Sequence, residues 1–105
     1  MSAAAPPLPP AESLAAALLL ALADEAAVSD RPVSLPRLGK RLQAGASVLL
    51  RELALMGSSR IGPRAGPGWV VVEQDGERWL VRLTPAGTEV AARIGAGTDG
   101  ASSAR

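Results

Sequence analysis

The residues of this chain best able to do chemistry are bases, and they are concentrated. Residues 31–64 carry Arg31, Arg37, Lys40, Arg41, Arg51, Arg60 and Arg64 against one acid, Glu52, a local charge of +6. Residues 1–30 carry −4 and residues 65–105 carry −1, so a chain of net charge +1 holds a basic block at its centre. Guanidinium and ammonium groups donate hydrogen bonds and accept none, and the guanidinium fork matches carboxylate and phosphate oxygens. The chemistry on offer is therefore recognition of an anionic partner. A solvated arginine-rich surface has the same composition, so the block gains meaning only from the elements that position it.

Other chemistry is excluded by what is missing. The chain has no Cys and no His. That removes disulfides, thiol nucleophiles, the usual zinc ligand sets and any triad or dyad built on imidazole. The acids are scattered singly. The glycines between Gly62 and Gly68 follow no strand and open no helix, so they do not form a nucleotide-phosphate loop. An enzyme is not expected, nor a metal or cofactor. Leu14 to Ala23 is an apolar run too short to span a bilayer. The segment before it, Met1 to Pro10, has no charged side chain, unlike the basic start of a signal peptide. The expected location is the cytosol, with no membrane partner.

Several elements must position the bases. Residues 1–10, rich in Ala and Pro, are expected to be extended and disordered, and residues 95–105, rich in Gly, Ser and Ala, to form a disordered tail. The folded domain then covers residues 11–94. Its first helix runs from about Ala11 to Ala27, with Leu14, Leu18 and Leu22 on one face. Leu19, Leu20 and the alanines make it apolar on most sides, which calls for burial on most sides. In so small a domain the natural outlet is a homodimer interface through Leu14, Leu18, Leu19 and Leu22.

Ser34 followed by Leu35-Pro36 is a helix start, since Pro in the first turn lacks only a donor that has no partner there. The second helix spans Leu35 to Leu42, with its leucines inward and Arg37, Lys40 and Arg41 outward. Gly45 supplies the flexible turn residue. The third helix spans Ala46 to Met56, with Leu49, Leu53 and Met56 inward and Ser47, Arg51 and Ala54 outward. Gly57 suits the position after its end. Gly57 to Gly68 reads as a mobile surface loop.

A hairpin follows, centred on Asp75-Gly76 as a type I′ turn. This register pairs Glu73 with Arg78, Val72 with Trp79, Val71 with Leu80 and Val70 with Val81. Val70, Val72, Trp79, Val81 and Leu83 share the core face; Val71, Glu73, Leu80 and Arg82 share the other. Thr84-Pro85 starts a last helix that ends near Ile94.

The order helix, helix, tight turn, helix, hairpin, helix is that of a winged helix-turn-helix, an α+β fold with three helices, a two-stranded wing and a C-terminal helix. The stretch from Ser34-Leu35-Pro36-Arg37-Leu38-Gly39 to Leu49-Leu50-Arg51-Glu52-Leu53 resembles a bacterial helix-turn-helix. The run Leu83-Thr84-Pro85-Ala86-Gly87 is similar to the end of the wing in MarR-like and PadR-like regulators. The resemblance covers about residues 12–94 and implies a DNA-binding transcriptional regulator acting as a dimer. Ser47 and Arg51 on the third helix would read base edges in the major groove. Arg37, Lys40, Arg41, Arg60 and Arg64 would hold phosphates of double-stranded DNA.

The chain departs from this pattern in three places. The third helix has one Arg and no Asn, Gln or Lys among its outward residues, and Val48, Leu50 and Leu55 flank them. The hairpin tip carries Glu73, Asp75 and Glu77 beside Arg78. Gly39 stands where such motifs usually have Ala. The apolar flank and acidic tip suit a second expectation, a winged-helix module for protein interaction in a larger assembly.

Overall fold

The computed structural model describes residues 8–57, 60–61, 64–65 and 67–103. Most of the N-terminal segment expected to be disordered lies outside them. The described residues form a small α+β fold with four helices and a three-stranded antiparallel sheet. The helices are α1 (Leu14–Val28), α2 (Leu35–Leu42), α3 (Ala46–Met56) and α4 (Pro85–Ser103). The strands are β1 (Val33–Ser34), β2 (Arg60–Ile61), β3 (Arg64–Ala65), β4 (Val70–Asp75) and β5 (Arg78–Leu83). The main sheet has the order β1-β5-β4, and β2 and β3 pair separately. Among the described residues no helix is long and apolar enough to cross a membrane.

Helix α1 is the centre of the core. Ser13 caps it, its hydroxyl oxygen accepting from the Ala16 N–H at 3.1 Å. Ala16, Leu18, Leu19, Ala21 and Leu22 are buried, and Leu14 is half-buried. The helix packs against α4, β5, α2 and α3, which together surround its apolar cylinder. This corrects the expected dimer interface. Leu18, Leu19 and Leu22 are covered by their own chain and have no surface left for a second copy, while Leu14 keeps part of its surface exposed. The outlet is internal because α4 packs along α1. It was expected to end near Ile94 but continues to Ser103, and Ala91 and Ile94 close over the core. Each buried Leu contributes about 1.5–3 kcal/mol of transfer free energy.

Helix α2 begins where the Ser-Leu-Pro signal places it. The Ser34 hydroxyl accepts from the Arg37 N–H at 3.3 Å, and Pro36 sits in the first turn. Leu35 and Leu38 are buried. The turn to α3 differs from expectation in one respect. The left-handed residue is Gln43, with φ 55°, while Gly45 is extended at φ −74° and caps α3. Gly39 earns its place by close approach, since a Cβ there would sit 3.0 Å from the Ala44 carbonyl oxygen.

Gly57 ends α3 in an extended conformation, not in the left-handed one its position suggested. Its carbonyl accepts from the Gly68 N–H at 3.1 Å, and the Met56 carbonyl accepts from the Trp69 N–H at 2.7 Å. These bonds pinch together the ends of the segment read as a mobile loop. Within it, Arg60 pairs with Ala65 and Ile61 with Arg64.

The β4–β5 hairpin keeps the expected faces but not the expected register. Val70 pairs with Leu83, Val72 with Val81, Glu73 with Leu80 and Asp75 with Arg78. The two-residue turn is therefore Gly76-Glu77. Gly76 alone takes a positive φ, at 65°, whereas type I′ needs two such residues. The pairing moves by an even number of residues, so side chains stay on their faces. Val70 and Val81 are buried, and Val72, Trp79 and Leu83 are half-buried. On the other face Glu73 and Arg82 approach to 3.9 Å across a diagonal.

The Leu-Thr-Pro-Ala-Gly run has a concrete job. Thr84 Oγ1 donates to the Gly68 carbonyl at 2.6 Å and accepts from the Gly87 N–H at 3.0 Å. The Thr84 N–H donates to the Trp69 carbonyl at 3.0 Å. A Cβ at residue 87 would stand 1.9 Å from that same carbonyl oxygen. Glycine is what lets the first turn of α4 rest on the start of β4.

Candidate nucleic-acid interface

The expected site divides into two surfaces. The first is the outward face of α3. Ser47, Val48, Arg51, Ala54 and Leu55 are all exposed there, while Leu49, Leu53 and Met56 are buried beneath. The inner face is thus packed and the outer face free, as the leucine spacing required. Val48 is 49% exposed and Leu55 50%, so much of this free face is apolar, with Arg51 as its single charge. Leu50 is half-buried and joins the core's edge instead of the face. Gly45 provides no side-chain oxygen to the first turn of α3, so the early N–H groups of that helix lack a side-chain cap.

The second surface is a cleft of about 580 Å³ at the end of α1, lined by Arg31, Arg37, Arg41 and Arg78 and by Asp24 and Glu25. Arg37 and Arg41 lie one helical turn apart on α2 and share a face. That face meets the last turns of α1. Arg37 Nε donates to Glu25 Oε2 at 3.1 Å, and Arg41 Nη1 donates to the same oxygen at 3.3 Å. Arg41 Nη2 donates to Asp24 Oδ2. A carboxylate in the last turn of a helix opposes its dipole, and the two guanidiniums offset that cost.

These pairs revise the sequence expectation. Arg37 and Arg41, expected on phosphates, are engaged by carboxylates of their own chain. Lys40 is exposed and makes no ion pair among the described residues. Ser47 and Arg51 do not line the cleft. The side chains of Arg60 and Arg64 lie outside the described residues; only their backbone pairing is on view.

Arg31 and Arg78 are the residues that sequence reasoning missed. Strand β1 brings them in: Val33 pairs with Val81 and Ser34 with Leu80. The antiparallel ladder carries Arg78 toward Pro36 and the start of α2. A two-residue strand has no periodicity to read, so the only available signal was Val33-Ser34 standing extended before the Ser34 cap.

A second cleft, of about 550 Å³, lies beside Leu35, Pro36, Gly39, Ala44 and Trp79. Its lining is mostly apolar, with Ser34, Glu77 and Arg78 as the polar members. Half-buried Trp79 also lines the groove between α3 and β4. Comparison with known proteins matches the chain to no family model, no curated protein and no solved structure.

Proposed function

We propose that this chain is a winged helix-turn-helix module that binds double-stranded DNA, with α3 in the major groove and the arginines around α2 on the phosphate backbone. The observation that carries the reading is the two-sided character of α3: a packed inner face and an outer face, bearing Ser47 and Arg51, that no described residue covers. A groove-reading helix needs both, because the packed side fixes its orientation while the free side meets base edges. The excess of arginine beside α2 supplies the sequence-independent attraction. A cytosolic regulator of transcription fits this equipment. No catalytic step is assigned.

One observation favours a second reading. Val48 and Leu55 are exposed on the face that would enter the groove. They suit contact with thymine methyl groups, and they equally suit a protein partner of an interaction module.

Titration of a mixed-sequence duplex at several salt concentrations separates the two. Duplex binding predicts an affinity whose logarithm falls with the logarithm of salt at a slope of roughly −2 to −4, about 0.9 per phosphate neutralised. Arg51→Ala should cost about 1–3 kcal/mol on a selected site and less on random sequence. A chain with no duplex affinity at low salt refutes the reading and leaves the protein-interaction module.

A further inference from the structure

The cleft between α1 and α2 is more than a pair of salt bridges. Four guanidiniums meet two carboxylates there, leaving an excess charge of +2. Asp24 and Glu25 engage only Arg37 and Arg41; Arg31 and Arg78 pair with no carboxylate among the described residues. The cations arrive from separate elements, the α1–β1 connection, α2 and β5, so their convergence comes from the tertiary fold and not from a local run of charge. Water and salt reach the outer members of these pairs, since Arg37 is 65% exposed and Asp24 66%, while Glu25, at 17%, is the covered partner that engages both arginines. An arriving anion with bidentate oxygens meets the same donors with the same geometry. The Ser34 hydroxyl also lines the cleft; it accepts from the Arg37 N–H and keeps its proton to donate.

We propose that this cleft is a phosphate site for the nucleic-acid backbone, and that Asp24 and Glu25 are its resident competitors, occupying Arg37 and Arg41 until a phosphodiester displaces them. The inference rests on the duplex-binding reading and specifies its regulation. Displacement releases counterions from the duplex, but the freed carboxylates recruit cations in turn. The carboxylates therefore lower affinity and flatten the salt dependence together. They also keep the guanidiniums extended and oriented when no duplex is bound.

The test compares the full chain with its Asp24→Asn/Glu25→Gln double variant, using fluorescence anisotropy with a labelled mixed-sequence duplex across a salt series. The variant should bind about tenfold more tightly at low salt, with a slope steeper by about one. Arg31→Gln/Arg78→Gln should bind about tenfold more weakly. Circular dichroism melting checks that each variant folds; all four positions are at the surface apart from the partly covered Glu25. If the parent binds and the carboxylate variant binds equally or less well while folded, the competitor role is overturned and duplex binding stands. An Arg31/Arg78 variant that folds and binds like the parent overturns the phosphate site. If neither the parent nor any variant binds at low salt, the duplex reading itself fails.

Discussion

Replacing Gly87 with Ala adds one methyl group where the chain has no room for it. The new Cβ would lie 1.9 Å from the Trp69 carbonyl oxygen, 2.8 Å from its carbon and 3.1 Å from Leu83 Cδ2. Relief needs a shift of more than about 1 Å between the first turn of α4 and the start of β4, in an interior that resists overpacking. That shift strains three bonds at the same corner: Thr84 N–H to the Trp69 carbonyl, Thr84 Oγ1 to the Gly68 carbonyl and Gly87 N–H to Thr84 Oγ1. Overpacking of this kind costs about 1–3 kcal/mol, and each weakened hydrogen bond adds about 0.5–1.5 kcal/mol. The helix preference for Ala returns up to about 1 kcal/mol. The three bonds together add about 1.5–4.5 kcal/mol, so the net loss is about 1.5–7.5 kcal/mol, a large part of a total expected to be about 5–15 kcal/mol. At about 4–8 °C per kcal/mol for a domain of this size, Tm falls by at least roughly 6 °C.

Thermal unfolding followed by circular dichroism measures the loss, with Gly95→Ala as the control. Gly95 lies on the same helix, but a Cβ there meets only Leu20 Cδ2, at an ordinary 3.8 Å. Gly95→Ala should raise stability by up to about 1 kcal/mol. A Gly87→Ala protein as stable as the parent would refute the packing of α4 on Trp69.

Two further substitutions test the fold. Gln43→Gly should stabilise by about 0.5–1 kcal/mol, because Gln43 holds a left-handed φ of 55° that only glycine adopts without steric cost; a chemical denaturation midpoint that falls would contradict the turn. Leu18→Ala should cost about 2–5 kcal/mol by opening a cavity while leaving the sedimentation behaviour of the folded protein unchanged, since Leu18 is buried within its own chain. A change in oligomeric state would restore α1 as an interface.

What could be read from the sequence was local. The start of α2 was legible because Ser34, Leu35 and Pro36 act within one turn. The faces of the hairpin were legible because alternation depends only on the strand itself. The hairpin register was not, because Asp75-Gly76 fits a type I′ turn while the chain places Gly76 first in its turn and gives it the only positive φ of the pair. The environment of α1 was misjudged for a similar reason. Its apolar cylinder suggested a partner, and whether that partner is internal depends on how α4, β5, α2 and α3 pack around it. Of the candidate interface, the outward position of Ser47 and Arg51 followed from helical spacing. The engagement of Arg37 and Arg41 did not, because Asp24 and Glu25 meet them across 12 to 17 residues of chain. Helix packing, not spacing, makes that contact.

The central claim is that α3 and the arginine cleft meet duplex DNA. An amide-resolved NMR titration of the full chain with a short duplex at low salt tests it most directly. Duplex binding by these two surfaces should shift Ser47, Val48 and Arg51 and the amides around Arg31, Arg37, Arg41 and Arg78, all reversed by added salt. No shift, or shifts confined to residues outside these two surfaces, would contradict it.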